Sequence, residues 1–373
     1  MKKSILGIDI GTTKVKFGII KDGDILLERF FILPIIEKKE VEQDILWKKI
    51  IYLLDEIFYF SKKKNIEIEK IGITSQAQTF ITIDKNYNFL TNFILWNDIR
   101  AKKEGDILNK EFPNFYKFSG LHKFIPELMV CKVLYLKRNF PKIYKSIYKF
   151  LLLNEWLIFK LTGKFFGDDI NFGMSGFYNI REKRFNKEIL EFLSIEKDSF
   201  SEIYPCGKHF SFLKEDFIKK FNLKNKVKVY SCGNDQTVCA IGSGIDKNSC
   251  VINLGTAFVF YILIDEFPEK IEKNQICGIF PFGNYFLLKV NGDFGNYVKK
   301  GICKQEILKY FKKNFKIIEK IKKIENFYIS GGYGKRFLKF IEENFKKNIF
   351  YIGANTSFKG IEKIIGEENE ILG

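Results

Sequence analysis

The side chains that usually bind zinc are scarce in this sequence. Its 373 residues include only two histidines, His122 and His209, and none of the seven cysteines forms a Cys-x-x-Cys pair. The sequence therefore offers few candidate residues for a zinc site or for a histidine-based catalytic triad. We expect the cysteines to be reduced thiols of a cytoplasmic protein.

Long apolar runs are missing as well. The longest covers the eight residues 257–264, whereas a helix that spans a bilayer needs about 20. The charged start, Met1-Lys2-Lys3, imitates a signal peptide, but Asp9 interrupts the apolar stretch that follows. We expect no membrane partner.

Arginine is the scarce basic residue. The formal net charge is +17, yet the 62 basic residues comprise six arginines and 56 lysines. Proteins that recognise DNA bases rely on the bidentate fork of arginine, so we expect no nucleic-acid partner. Lys, Phe, Ile and Asn are encoded by A/T-rich codons, and we attribute the charge to genome composition.

The sequence does contain enough apolar material for two domains. Its length predicts about two domains, and 46% hydrophobic residues suffice for their cores. Segments with strand or helix periodicity are 4–10, 15–20, 44–60, 71–74, 100–160 and 227–231. The helical stretch ends at Gly163, which serves as a C-cap. A polar stretch precedes the last strand, so we predict domains at residues 1–229 and 230–373.

One pattern occurs twice. The segment at residues 8–12, Ile-Asp-Ile-Gly-Thr, recurs in similar form 244 residues later at residues 252–256, Ile-Asn-Leu-Gly-Thr. Each is an apolar strand that runs into a Gly-Thr turn, and another apolar strand follows. Two related hairpins indicate two related domains that face each other.

The first of these turns has the chemistry of a phosphate site. Glycine lets the backbone approach an anion, a tight turn can form a nest of N–H groups, and hydroxyl and ammonium groups add donors. These residues are Gly11, Thr12, Thr13 and Lys14. Asp9, near the end of the strand, suits a hydrated magnesium ion. A plain hairpin with a capping aspartate is the alternative; the second turn, Gly255-Thr256, favours phosphate.

Six short motifs follow one another along the chain. They are residues 6–13, the segment Ile-Leu-Trp-Asn-Asp-Ile-Arg at 94–100, Leu161-Thr162-Gly163 with Asp168, the segment Cys-Gly-Asn-Asp-Gln at 232–236, Gly255-Thr256, and Ser330-Gly331-Gly332. In this order they resemble the motifs of the FGGY carbohydrate kinases, members of the actin-like ATPase superfamily. The resemblance spans nearly the whole chain, and the second motif is similar to a segment of xylulokinases.

The resemblance implies a fold and an activity. The fold would be two actin-like (ribonuclease H-like) α/β domains, each a mixed sheet flanked by helices, with an active-site cleft between them. The activity would be transfer of the γ-phosphate of ATP, with Mg²⁺, to a hydroxyl of a xylulose- or sedoheptulose-like ketose or polyol. The implied ATP contacts are Gly11, Thr12, Thr13, Lys14, Gly255, Thr256, Gly331 and Gly332, and the implied metal residue is Asp9.

The resemblance also assigns residues to the sugar. Asp235 would be the general base that accepts the proton of the attacking hydroxyl, with a helix-capping aspartate as the alternative. Trp96, Asp98 and Gln78 would contact the substrate. The alternative for the first two is a buried Trp beside a structural Asp98–Arg100 pair, and Asp168 is expected to be structural or a loop cap.

Two departures from the family matter. Gln76 is followed by Ala77 and Gln78, where glycerol kinases have Arg-Glu and xylulokinases have Met-His, so glycerol is disfavoured as a substrate. The stretch between Thr256 and Gly331 is also shorter than in most members. A non-catalytic or regulatory nucleotide-binding protein of the same fold therefore remains an alternative, and the oligomeric state is left open, with a homodimer as one expectation.

Overall fold

The computed structural model describes residues 2–255, 257–291, 294–301, 303–353 and 355–366. The strands are β1 (Lys2–Ile10), β2 (Lys14–Lys21), β3 (Asp24–Ile32), β4 (Ile35–Ile36), β5 (Glu40–Val41), β6 (Ile66–Ser75), β7 (Phe80–Ile83), β8 (Phe93–Ile94), β9 (Lys149–Leu152), β10 (Phe166–Asp168), β11 (Tyr178–Asn179), β12 (Arg184–Phe185), β13 (Glu202–Tyr204), β14 (Phe210–Phe212), β15 (Lys228–Asn234), β16 (Ser249–Leu254), β17 (Phe258–Ile264), β18 (Gln275–Ile279), β19 (Tyr285–Asn291), β20 (Asn326–Ser330) and β21 (Asn348–Gly353). The helices are α1 (Gln43–Lys63), α2 (Lys102–Glu111), α3 (Tyr116–Ser119), α4 (Met129–Asn139), α5 (Pro141–Ser146), α6 (Leu153–Thr162), α7 (Asp169–Gly173), α8 (Lys187–Leu193), α9 (Glu215–Phe221), α10 (Asp235–Gly242), α11 (Phe294–Lys299), α12 (Lys304–Ile321), α13 (Gly334–Asn344) and α14 (Thr356–Ile365).

Two six-stranded mixed sheets share the topology of five of their strands and differ in the edge at which the sixth, β14 or β18, is added. Their strand orders are β14-β15-β6-β1-β2-β3 and β18-β19-β17-β16-β20-β21. In each sheet the first strand of a hairpin, β1 or β16, pairs antiparallel with the next strand and parallel with a later one, β6 or β20. The repeated hairpin therefore marks two related sheets, and the predicted α/β fold is confirmed.

Hydrophobic periodicity located most of the elements around the first sheet. The helix predicted at residues 44–60 is α1, which buries Leu46, Ile50, Leu53 and Ile57 along one face. The stretch predicted as largely helical contains α2 to α6 but also the strand β9, which joins a separate sheet of order β4-β5-β8-β7-β9. Gly163 ends α6 in the left-handed region, with φ +75°, as predicted.

The predicted domain boundary at residues 229 and 230 falls within β15. That strand pairs in parallel with β6 and so belongs to the first sheet. We therefore propose to divide the chain after α10, at residue 242.

Two helices cross where the halves of the chain meet. α14 returns from the end of the described chain to pack on the first sheet, where Phe358 lies against Gly7 and Gly18. It crosses α10 at two glycines: a Cβ on Gly242 would lie 1.8 Å from the carbonyl oxygen of Thr356, and one on Gly360 would lie 1.9 Å from that of Val238. Only glycine permits so close a crossing.

A second connection joins the halves away from this crossing. Leu121 and Ile276 form an isolated antiparallel bridge, and the N–H of Cys277 donates to the carbonyl oxygen of Gly120 at 2.7 Å. The loop before α4 is therefore fastened to β18 of the second sheet.

All seven cysteines are free thiols. Within the described ranges, no helix combines the length and the apolar character needed to cross a membrane.

Candidate active site

Three parallel strands of the first sheet, β1, β6 and β15, end side by side. Asp9, the penultimate residue of β1, is only 4% exposed. Lys16 faces it across the β1–β2 hairpin, with 3.2 Å between Lys16 Nζ and Asp9 Oδ2. The other carboxylate oxygen, Oδ1, is buried and has no hydrogen-bond partner among the described residues. Asp9 therefore keeps one oxygen available for a ligand.

The lysine beside Asp9 differs from the predicted phosphate contact. The ammonium group of Lys14 lies 4.1 Å from the ring centre of Phe30, on the exposed edge strand β3. For Lys16, burial lowers the pKa, but the ion pair with Asp9, together with Cys239 and Glu28, outweighs that effect and raises it overall. Lys16 is thus a fixed positive charge at the end of β1, and a role for Lys14 in phosphate binding stays a prediction.

Asp235 follows directly on β15 and is the first residue of α10. The helix is capped by its neighbour, because Asn234 Oδ1 accepts from the N–H of Thr237 at 3.0 Å. Asp235 is therefore not the N-cap residue of α10, although its Oδ1 accepts from the N–H of Gln236 at 2.9 Å. Burial, followed by the negative charge of Asp9, raises the pKa of Asp235 to about 7. A carboxyl group with such a pKa can take up and release a proton near neutrality.

A buried polar network holds the turn that carries Asp235. Asp168 Oδ2 accepts from the N–H of Gly233 at 3.0 Å and from the hydroxyl of Ser231, while its Oδ1 caps α7. Gly233 has φ +79°, and its carbonyl oxygen accepts from the Thr74 hydroxyl at 2.8 Å. The capping role predicted for Asp168 is confirmed, and its second oxygen fixes the backbone just before Asp235.

The second sheet brings its own turn to the same place. Asn253 on β16 occupies the position that Asp9 has on β1, and its Nδ2 lies 3.4 Å from Oε1 of Gln236, the residue after Asp235. Gly255 follows β16 as Gly11 follows β1, whereas Thr256 lies outside the described residues. The ends of β1 and β16 thus both lie near the start of α10.

The predicted adenosine motif adjoins this second turn. Gly331 has φ +89°, and a Cβ there would lie 2.4 Å from Asn253 Oδ1. Among the described residues, no atom would lie within 4 Å of a Cβ on Gly332, so its backbone is open to that part of the chain. Gly331 is therefore needed for packing, and Gly332 is the glycine that a ligand could approach.

Trp96 connects the predicted sugar side with the first turn. Its indole Nε1 donates to the Thr12 hydroxyl at 3.1 Å, and its backbone N–H donates to the Thr79 hydroxyl at 3.0 Å. The side chain is 37% exposed, so the alternative of a buried tryptophan is wrong. An exposed ring held at its edge suits contact with the face of a sugar.

Two side chains predicted to contact the sugar, those of Asp98 and Gln78, already form hydrogen bonds within the protein. Asp98 accepts from Arg100 Nε at 2.7 Å, and Arg100 also pairs with Glu40, so the structural Asp–Arg pair is present. Gln78 Oε1 accepts from the N–H of Met129 at 2.7 Å, and its Nε2 donates to the carbonyl oxygen of Met174. Both side chains therefore form hydrogen bonds that stabilise the fold, and their contacts with a sugar stay predictions.

Sequence reasoning missed two residues at these strand ends. Lys16 could have been found by strand alternation, since it lies two residues beyond Lys14 on the same face of β2. The comparison with kinase motifs assigns no role to Gln76, which only precedes Ala77 and Gln78 there. The side chain of Gln76 is buried, with 3% exposure, and neither its Oε1 nor its Nε2 has a partner among the described residues. No spacing rule reveals an unpaired amide.

Comparison with protein families gives one match that covers most of the chain. The model for the N-terminal domain of the FGGY family of carbohydrate kinases matches residues 4–242. Among curated proteins, the xylulose kinase of Staphylococcus xylosus is 24% identical over 263 residues, which is 68% of this chain and 54% of that protein. The gluconokinase of Bacillus licheniformis is 23% identical over 286 residues, 74% of this chain and 55% of that protein.

The matching regions are shorter than those relatives. The chain spans about half the length of the curated relatives it matches. Among solved structures, the ligand-bound xylulose kinase from Lactobacillus acidophilus superposes with a TM-score of 0.83 at 20% identity, covering 97% of this chain and 88% of that one. That likeness extends the shared fold over both sheets.

Proposed function

Because the chain belongs to the FGGY family of carbohydrate kinases, we propose that it transfers the γ-phosphate of ATP to a hydroxyl of a neutral ketose or polyol. The observation that carries this proposal is that Asp9 lies close enough to Asp235 for its negative charge to raise the pKa of that carboxyl group. Asp235 is not the N-cap residue of α10, its pKa is raised to about 7, and it lies beside the turn proposed to hold phosphate. A nucleotide-binding module alone has no need of such a carboxyl group.

ATP would lie between the two Gly-Thr turns. We propose phosphate contacts at Gly11, Thr12 and Thr13 from the first half and at Gly255 from the second, with the adenosine passing the open backbone of Gly332. Thr256 and Lys14 remain predictions for the same ligand. The hydrogen bond from Trp96 to Thr12 would place the sugar next to the γ-phosphate.

The donor set fits magnesium. The described residues hold no cluster of three metal-ligating side chains, and magnesium in kinases is commonly bound by one or two carboxylates together with substrate phosphates and water. Asp9 offers Oδ1, since Oδ2 is paired with Lys16. When bound, the ion offsets the charge of the β- and γ-phosphates.

The chemical step assigned to this chain is a proton transfer. Asp235 in its carboxylate form orients the sugar hydroxyl and accepts its proton as the oxygen bonds to the γ-phosphorus and the bond to the leaving ADP breaks. The positive charge of Lys16 favours that carboxylate form. The network from Asp168 through Gly233 keeps the base in place.

The experiment is a measurement of ATP consumption with ketoses and polyols, including xylulose, sedoheptulose, gluconate and glycerol. We expect one neutral ketose or polyol to stimulate ATP consumption with formation of a sugar phosphate. Glycerol should be poor, because Ala77 lacks the charged clamp of glycerol kinases. ATP binding without sugar-dependent turnover would favour the regulatory alternative, which the engagement of Asp98 and Gln78 within the protein supports.

A further inference from the structure

Gln76 carries a buried side-chain amide for which the described part of the chain supplies no hydrogen-bond partner. Its backbone N–H donates to the carbonyl oxygen of Ile10 at 2.8 Å, which fixes the residue at the end of β6. Its side chain is 3% exposed, and both polar atoms lack partners among the described residues. A buried polar group without a hydrogen bond destabilises the folded state, so its presence needs an explanation outside the fold.

The strand register places Gln76 beside the proposed base. Ser75, the last residue of β6, pairs with Ile10 on one side and with Asn234 on the other. The residues that directly follow the ends of β1, β6 and β15 are therefore Gly11, Gln76 and Asp235, in that order. Gln76 lies in the middle of this row, between the first phosphate turn and the carboxyl group that would receive the proton.

We propose that the side-chain amide of Gln76 binds a hydroxyl group of the sugar that neighbours the reacting hydroxyl. This inference rests on the function proposed above. A hydroxyl group can accept from Nε2 and donate to Oε1 at once, so one hydroxyl satisfies both atoms of the amide. A phosphate or carboxylate oxygen can only accept, which leaves Oε1 without a donor, and the carboxylate of Asp235 disfavours an anion on the sugar side of this row. The site therefore selects a neutral, polyhydroxylated substrate with a second hydroxyl close to the one phosphorylated.

Gln78 provides a matched control two residues away. It is the same residue type, is also buried, and has both polar atoms engaged by the backbone of Met129 and Met174. Gln76→Met and Gln78→Met each replace the amide with an apolar chain of similar length. Loss of Gln78 leaves two backbone groups without partners, whereas loss of Gln76 removes two atoms that had none.

The test compares melting temperature and kinetics of the two variants. Gln76→Met should keep or raise the melting temperature, leave the KM for ATP within about twofold, and raise the KM for the best ketose or polyol by about tenfold or more. Gln78→Met should lower the melting temperature. A Gln76→Met protein with a wild-type KM for the sugar, or with a melting temperature lowered as far as that of Gln78→Met, would overturn the inference.

Deoxy analogues of the best substrate identify the hydroxyl. The wild-type chain should discriminate against one monodeoxy analogue by about tenfold or more in kcat/KM, and Gln76→Met should lose most of that discrimination. Equal discrimination by both proteins across all analogues would contradict the inference while leaving the kinase proposal intact. A wild-type chain that phosphorylates no member of the panel would overturn the proposed function and this inference with it.

Discussion

The indole nitrogen of Trp96 donates a hydrogen bond to the hydroxyl of Thr12 at 3.1 Å. This contact joins the proposed sugar side of the site to the proposed phosphate turn. Through its backbone, Trp96 is also tied to the buried hydroxyl of Thr79. Binding of sugar against the ring can therefore change the position of the residue that would contact phosphate.

A double-mutant cycle tests this coupling. Trp96→Phe keeps an aromatic face but loses the N–H, and Thr12→Val keeps the shape of the side chain but loses the acceptor. Each variant should raise the KM for both the sugar and ATP, and the double variant should be less impaired than the sum of the two. We expect a coupling energy of about 0.5–1.5 kcal/mol in kcat/KM. Strict additivity would show that the hydrogen bond does not link the two ligands.

Asp235 and Asn234 are neighbours with separable roles. Asp235→Asn keeps the shape but removes the base, and it should lower kcat by about 10²- to 10⁴-fold, or roughly 3–5 kcal/mol of barrier. Its melting temperature should stay close to wild type, because the cap is Asn234. Asn234→Ala is the control and should lower the free energy of unfolding by about 1 kcal/mol. Near-wild-type kcat in Asp235→Asn would remove the base from the mechanism.

Lys16 should set the pH at which this base becomes active. Burial and Asp9 raise the pKa of Asp235 to about 7, and Lys16 opposes them. Since the carboxylate form is the active one, kcat/KM for the sugar should rise as the pH increases through about 7. Lys16→Met removes a charge that favours the carboxylate, so the acid limb should move to higher pH. Lys16→Arg retains the charge and should move it less; a shift of Lys16→Met to lower pH would contradict the assignment.

Periodicity and one repeat were enough to predict much of the fold. Residues 8–12 and 252–256 revealed the two related sheets, because equal strand-turn patterns demand equal backbone geometry. The same reasoning put the predicted domain boundary inside β15, since whether that strand pairs with the first or the second sheet depends on long-range hydrogen bonds. No local sequence pattern predicts that α14 packs across α10. That crossing depends on the close approach of the two helices at Gly242 and Gly360, which are far apart in the sequence.

In the candidate site, the sequence predicted the positions of residues better than the hydrogen bonds that their side chains form. The positions of Asp9 near the end of β1 and of Gly255 just after β16 follow from the repeated strand-turn pattern, while their roles stay predictions. Roles that depend on side-chain partners were harder: Asp98 and Gln78 have the right residue types for sugar contacts, but Arg100 and the start of α4 already satisfy them. Hydrogen-bond satisfaction depends on which groups meet in three dimensions, so spacing along the chain does not reveal it.

Lys132 predicts a pH dependence of stability. It is fully buried on α4, where its Nζ donates to the carbonyl oxygens of Gln78 at 3.2 Å and Leu95 at 2.8 Å. Burial lowers its pKa to about 7, against about 10.4 in an unfolded chain. Between these values the unfolded chain binds more protons than the folded one, so this lysine makes the free energy of unfolding increase with pH.

The variant Lys132→Met lacks this contribution. Between pH 7 and about pH 9.5, the melting temperature of the wild-type protein should rise relative to that of Lys132→Met. Lys103→Met, at an exposed position on α2, controls for the loss of an amine as such. A constant difference between wild type and Lys132→Met across this range would contradict the assignment.

Gly120 fastens the loop before α4 to the second sheet, and its replacement should loosen the two halves of the chain. It has φ +72°, and a Cβ there would lie 2.0 Å from the carbonyl oxygen of Cys277, the residue whose N–H it binds. Gly120→Ala therefore meets two costs, the left-handed backbone and a clash with backbone that a side-chain rotation cannot relieve. Gly244→Ala is matched in φ, at +79°, and its Cβ would meet no atom of the described residues within 4 Å. It therefore meets only the first cost, about 1–2 kcal/mol. We expect Gly120→Ala to lose more unfolding free energy than Gly244→Ala and to hydrolyse ATP faster without sugar, because a less restrained cleft admits water. Equal stability and equal hydrolysis in the two variants would show that the contact between Gly120 and Cys277 restrains nothing.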